Sequence, residues 1–120
     1  DRCKMKLPGV EKAVVSREKI TGYLLSREHW IGRGKAAFFS AYGFKPEEWR
    51  ALADALLAHA AENEVLREEE TVFGNKFIIE GEIETPSGRR PVIRAVWFTG
   101  KDETVPRFVT AYPFERRKKT

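Results

Sequence analysis

The chain contains a single cysteine, Cys3, and therefore cannot form an internal disulfide. This excludes the small disulfide-stabilised folds of secreted domains and is typical of a reducing compartment. No apolar run approaches the roughly 18 residues of a membrane-spanning helix, so we expect no membrane partner. We also expect no secretory signal ahead of the folded pattern, and a cytoplasmic site of action.

Several site motifs are missing as well. The segment "GRG" at residues 32–34 is too short for a phosphate-binding loop. No CxxC or HxxxH spacing offers a metal site, and the only two histidines, His29 and His59, stand 30 residues apart. Neither a GxSxG nor a Cys–His signature stands out. The sequence therefore predicts no metal and no cofactor.

What is present fits one ordinary domain. The 120 residues include 42% hydrophobic and 33% charged residues, which is enough apolar material for a core. We predict a single domain over residues 1–120, with flexible ends at residues 1–6 and 115–120. The net charge of +4 favours an anionic partner. Much of this excess lies in the tail "ERRKKT", and such tails are usually solvated ends.

The first half of the chain has helical periodicity. Ser16 is a suitable N-cap for a helix over about residues 17–25. A second helix is expected over about residues 35–42. A third should begin at Pro46, which is tolerated in a first turn, and end near Asn63.

The second half has strand patterns separated by turns. "EVLREEETVF" and "KFIIEGEI" flank Gly74-Asn75, a two-residue hairpin signal. "PSG" then leads into "RPVIRAVWFT", and "GKDETV" leads into "PRFVTAYPF". We predict an α+β fold with N-terminal helices packed on one face of a four-stranded antiparallel meander. The other face would be open to a ligand.

The segment "REHWIGRGKAAFF", residues 27–39, has two interpretations. Its glycines would let a loop bring His29 and Lys35 together, with free N–H groups near Arg33 that suit an anion. The simpler interpretation is the approach to a helix, with His29 packed on Trp30. The sequence by itself favours the simpler one.

The segment "PRFVTAYP", residues 106–113, is expected to be a strand. If Val109 and Ala111 face the core, then Phe108, Thr110 and Tyr112 line the open face. The hydroxyl groups of Thr110 and Tyr112 would then be available for hydrogen bonds. Ordinary strand propensity explains these two residue types equally well.

Arg94 lies in the middle of a predicted strand, where a cation usually has an anionic partner. Glu80 or Glu82 would be a structural partner, and a phosphate would be a functional one. Trp97 has the pattern of a core residue rather than a stacking platform. We include it, with Arg33 and Arg107, among the residues that could contact a substrate. His59 is expected at the surface, and the acidic run at residues 68–70 in solvent.

The chain resembles a family of small bacterial domains of unknown function, found as stand-alone proteins and at the C-termini of larger toxins. The resembling segments are "MKLPGVEKAVVS", "YLLSREHWIGRGKAAFF", "GFKPEEWRALADALLAHA", "GNKFIIEGEI", "RAVWF" and "VPRFVTAYP". That family is similar in layout to the barnase–EndoU–colicin–RelE class of metal-independent ribonucleases. The resemblance implies a site made of His29, Lys35, Thr110 and Tyr112.

These residue types suit cleavage of RNA by attack of the 2′-hydroxyl on its own phosphorus. That reaction needs a base, an acid, and cations or donors for the phosphorane. We therefore expect a ribonuclease toxin, with catalytic residues His29, Lys35, Arg94, Thr110 and Tyr112. Its partners would be RNA, with tRNA as one candidate, and a cognate antitoxin or immunity protein. As part of a larger toxin it would be delivered from another cell.

The alternative is a non-catalytic module that binds nucleic acid or protein, such as an antitoxin-like partner protein. The net charge and the basic tail support this alternative. Such a module would show RNA affinity that falls with increasing salt concentration, and no turnover.

Overall fold

The structure is a computed structural model that describes residues 5–21 and 33–114, with the backbone alone for residues 33–35. The described helices and strands are α1 (Arg17–Lys19), α2 (Arg33–Ala41), α3 (Trp49–Glu62), β1 (Val65–Thr71), β2 (Gly74–Glu82), β3 (Val92–Gly100) and β4 (Arg107–Pro113). Short 3-10 turns at Val10–Lys12 and Pro46–Glu48 precede α1 and α3.

The helices begin close to where the sequence predicts them. The Ser16 hydroxyl accepts a hydrogen bond from the Lys19 amide at 3.2 Å, which confirms the predicted cap. The predicted continuation of this helix to residue 25 lies outside the described residues. α2 begins two residues before the expected start, and Gly43 follows it with the positive φ of 100° typical of a helix end.

α3 is the longest helix of the described chain, and its bounds confirm the prediction. Pro46 opens the turn before it, and Asn63 caps its end with an amide hydrogen bond to the His59 carbonyl. Leu52 and Leu56 are fully buried on one side, as the i, i+4 spacing requires.

The four strands pair in the order β1-β2-β3-β4, and each pair is antiparallel, which confirms the meander. Residues before α1 connect the two edges of this sheet. The Met5 carbonyl accepts from the Val65 amide at 2.8 Å, and Val14 bonds both Pro106 and Phe108 in a parallel bridge. Met5 is thus joined to the start of β1 by a backbone hydrogen bond.

The core lies between the helices and one face of the sheet, as expected for this α+β class. It joins helical residues such as Phe39, Leu52 and Leu56 to sheet residues such as Ile79 and Ala95. Alternation along the strands then leaves the residues between these core positions on the opposite face. We call that opposite face the open face.

The first hairpin turns two residues earlier than predicted. Thr71 pairs with Gly74, so the turn residues are Val72 and Phe73 rather than Gly74-Asn75. Val72 and Phe73 both keep negative φ, whereas Gly74 has a φ of 149°. Glycine is needed at position 74 because the backbone just after the turn has this positive φ. The Gly74-Asn75 pair therefore lies two residues beyond the turn that it was expected to form.

A bulge in β4 corrects a second expectation. Val96 pairs with Thr110 and Trp97 with Phe108, so Val109 is an extra residue between them. The bulge resets the alternation, and Phe108 turns into the core with 4% exposure. The prediction that Phe108 lines the open face is therefore wrong, while Ala111 faces the core as expected.

Candidate functional site

The open face carries a row of three polar side chains, Glu80, Arg94 and Tyr112, which the strand register places side by side. Arg94 Nε donates to Glu80 Oε1 at 3.1 Å. The Arg94 guanidinium carbon also lies 4.0 Å from the centroid of the Phe114 ring. Arg94 is thus held between a carboxylate and an aromatic face, at the centre of the sheet.

Glu80 was one of the two structural partners expected for Arg94. The other, Glu82, instead accepts from Arg90 Nε at 3.2 Å. Phe114 was not anticipated at all. Its signal was available, because it follows Tyr112 by two residues and strand alternation places both on one face.

Thr110 lies in the next row of the open face, beside Val96 and Ile78. The two apolar residues are 7% and 6% exposed, so this row offers little apolar surface to a ligand. Residues two apart on a strand are about 7 Å apart, which brings Thr110 and Tyr112 within reach of one phosphodiester. Neither Glu80 nor Thr110 is without a partner.

Arg107 lies on the open face but away from this row. It pairs with Phe98, four residues from Arg94 along β3, a separation of about 13 Å. Its side chain is 64% exposed and lies 3.6 Å from a carboxylate oxygen of Glu103. A long substrate that contacts Arg94 could therefore also reach Arg107.

Trp97 does not belong to the site. It is fully buried, and its ring meets that of Phe108 edge-on at 5.5 Å. Its indole Nε1 is buried and has no hydrogen-bond partner among the described residues. The regular register of β3 with β2 places the Trp97 ring in the core, which removes Trp97 from the residues that can touch a surface ligand.

The helical half of the predicted site lies largely outside the described residues. His29 and residues 28–32 of the predicted loop are not described, and for Arg33 and Lys35 only the backbone is. That backbone forms the first turn of α2, a helix that packs against β4. The convergence of His29 or Lys35 with Thr110 or Tyr112 remains a prediction.

His59 is buried, and the expectation that it lies at the surface is wrong. It is 1% exposed, and its Nε2 lies 3.2 Å from the Gly81 carbonyl oxygen. Its Nδ1 has no hydrogen-bond partner in the described part of the chain. Burial lowers the pKa of His59 and outweighs the opposing effects of the Gly81 and Ile93 backbone groups and of the charge of Glu62. The imidazole connects α3 to β2 and does not face the open side.

Two negative findings apply to residues 5–21 and 33–114. No group of three or more histidine, cysteine, aspartate or glutamate side chains is arranged to hold a metal ion there. No helix in those ranges is long and apolar enough to cross a membrane.

Comparison with known proteins gives a family and a fold. The sequence model of the family described as "Domain of unknown function (DUF6883)" matches residues 6–115. A solved structure from Klebsiella pneumoniae 342, "Contact-dependent growth inhibition toxin - immunity protein complex", contains a chain of similar fold. The TM-score is 0.69 at 20% sequence identity, over 90% of this chain and 98% of that chain. No curated protein matches the sequence.

Proposed function

The chain belongs to the DUF6883 family, and we propose that it is a metal-independent ribonuclease toxin that binds RNA on the open face. The observation that carries this proposal is the pairing of Arg94 with Tyr112, with Thr110 in the adjacent row of the same face. A guanidinium, a phenol and a hydroxyl within one phosphodiester's reach suit a reaction that builds negative charge on phosphorus.

Each residue has a role that follows from its chemistry. Arg94 neutralises the non-bridging phosphate oxygens, because its planar fork of N–H donors matches their geometry. Tyr112 and Thr110 donate hydrogen bonds to the phosphorane and orient the scissile group. His29 acts either as the general base that takes the 2′-hydroxyl proton or as the general acid that gives a proton to the leaving 5′-oxygen, and Lys35 is a second cation at the phosphate.

The similarity in fold to a chain of a toxin–immunity complex supports a role in growth inhibition with a cognate protein partner. The substrate would be RNA in the cytoplasm of the target cell, with tRNA as one candidate. A chain delivered from another cell needs an immunity protein in the cell that makes it.

The proposal is tested by incubating the purified chain with tRNA or total RNA in EDTA and detecting 2′,3′-cyclic phosphate ends. Tyr112→Phe should slow cleavage about 100-fold, the range for loss of one hydrogen-bond donor to a charged transition state. Tyr42→Phe is the matched control, because Tyr42 packs its ring on Phe38 at the end of α2 and should leave the rate unchanged. Absence of cyclic ends with the wild-type chain would exclude the proposal.

A second candidate is a non-catalytic partner of the immunity type, and two observations favour it. Arg94 already has a carboxylate partner in Glu80. Val72 and Phe73 at the hairpin tip are 79% and 77% exposed, which is typical of a protein-binding surface. This candidate predicts a stable protein complex that survives His29→Ala, together with no RNA cleavage.

A further inference from the structure

A cavity of about 590 Å³ lies on the face of the sheet opposite to Arg94. Its floor consists of residues from three neighbouring strands, namely Glu68, Asn75, Phe77 and Thr99. Residues near the Val10–Lys12 turn form one wall, and the β3–β4 loop forms the other. None of the lining residues belongs to α1, α2 or α3. A volume of this size lies within the range of ligand-binding pockets, about 300–1,000 Å³.

The floor of the cavity offers hydrogen-bond acceptors from three side chains. Asn75 Nδ2 donates to Glu68 Oε2, which leaves the amide oxygen and the second carboxylate oxygen as acceptors. The hydroxyl oxygen of Thr99 is buried and has no hydrogen-bond partner among the described residues. A buried hydroxyl without a partner is costly, so a rotation of the Thr99 side chain that brings Oγ1 to a donor in the cavity would be favourable.

The charge of the lining is opposite to that of the whole chain. Four carboxylates line the cavity against two ammonium groups, although the chain as a whole carries +4. The carboxylates are Glu11, Glu68, Asp102 and Glu103, and the ammonium groups are Lys12 and Lys101. Arg107 lies 3.6 Å from Glu103, which still leaves three other carboxylates against two ammonium groups. The local potential therefore favours a cation, whereas the open face is proposed to bind a polyanion.

We propose that this cavity binds a guanidinium group, carried either by an arginine side chain of a polypeptide or by a small molecule. A guanidinium has five N–H donors in one plane, enough to reach the carboxylate, the amide oxygen and the hydroxyl together. It is also weakly hydrated, so moving it from water into a partly apolar cavity costs less than moving an ammonium. An ammonium is more strongly hydrated, and its three donors do not lie in a plane.

The test is a titration of the full chain with N-acetyl-argininamide, followed through the backbone amide resonances by NMR. We expect saturable shifts at Glu68, Asn75, Phe77 and Thr99 with a Kd of about 1 mM, typical of a ligand this small. N-acetyl-lysinamide should bind at least about fivefold more weakly. If an arginine peptide binds more tightly than the amide, the natural ligand is a polypeptide. If the two bind equally, the guanidinium group alone determines the affinity.

Two neighbouring residues of β1 provide matched variants. Glu68→Gln removes the charge in the cavity and should weaken binding about tenfold. Glu69→Gln removes an equal charge from the other face, where Glu69 pairs with Lys76 at 3.3 Å, and should leave binding unchanged. Shifts that do not saturate, equal binding of the lysine compound, or equal losses in the two variants would overturn the proposal. None of these outcomes depends on RNA cleavage.

Discussion

The Nε atom of Arg94 lies 3.1 Å from Oε1 of Glu80, its direct neighbour on the adjacent strand. Their side chains are 28% and 16% exposed, so both charges are partly removed from water. Breaking such a pair from one side is costly, because the remaining charge stays desolvated and loses its partner. Arg94 therefore has a structural role that must be separated from any role at a phosphate.

Replacing Arg94 with methionine keeps most of the side-chain volume and removes the charge. We expect Arg94→Met to lower the free energy of unfolding by about 1–3 kcal/mol, measured by urea denaturation. The double variant Glu80→Gln, Arg94→Met should recover part of this loss, because no unpaired carboxylate remains. Equal stability of Arg94→Met and the wild type would show that the pair contributes nothing.

The pair also gives a prediction for anion binding. Glu80→Gln frees Arg94 from its carboxylate and should strengthen RNA binding, while Arg94→Met should weaken it. Fluorescence anisotropy with a labelled RNA at two salt concentrations measures both. If Arg94 has only a structural role, neither variant will change the affinity once its folding is verified.

Gly81 lies directly beneath the Asn63 side chain, and a Cβ at this position would collide with the carboxamide. Asn63 cannot easily move away, because its Nδ2 donates to the His59 carbonyl at 2.9 Å. We expect Gly81→Ala to destabilise the fold by about 2 kcal/mol, as overpacking typically does. The same substitution in an Asn63→Ala background should cost clearly less. An equal cost in both backgrounds would rule out this collision as the cause.

Hydrophobic periodicity was sufficient to predict the helices, the strand order and the α+β class, because these depend on which face of each element is apolar. The position of a cation in the middle of a strand separately indicated an anionic partner for Arg94, with Glu80, Glu82 or a phosphate as the candidates. Local backbone geometry was not predictable in the same way. The sequence signal at Gly74 marks the residue that needs a positive φ, which follows the turn rather than forming it.

The same difference between periodicity and local backbone geometry explains which residue positions were predicted correctly and which were not. The bulge at Val109 moved Phe108 into the core beside Trp97, and a strict alternation cannot anticipate an extra residue. His59 could have been found, since it lies three residues after Leu56 and seven after Leu52, on the buried stripe of α3. Its polar character argued for the surface and concealed that spacing.

The buried position of His59 predicts a pH-dependent stability. Burial lowers its pKa below the ordinary value of 6.5, so the unfolded chain takes up a proton before the folded one does. Stability is therefore unaffected by His59 well above pH 6.5 and falls as the pH drops below that value. The fall continues until the lower folded-state pKa is reached, with a slope of at most about 1.4 kcal/mol per pH unit.

A background of His29→Gln leaves His59 as the only imidazole, since the chain has two histidines. Urea midpoints measured in that background from pH 8 to pH 5 should show the fall, and adding His59→Gln should remove this part of it. Carboxylates that titrate near pH 5 contribute equally to both proteins and cancel in the difference. Parallel pH profiles for the two proteins would contradict this prediction. They would mean that the folded chain accepts the proton as readily as the unfolded one, although both imidazole nitrogens are buried.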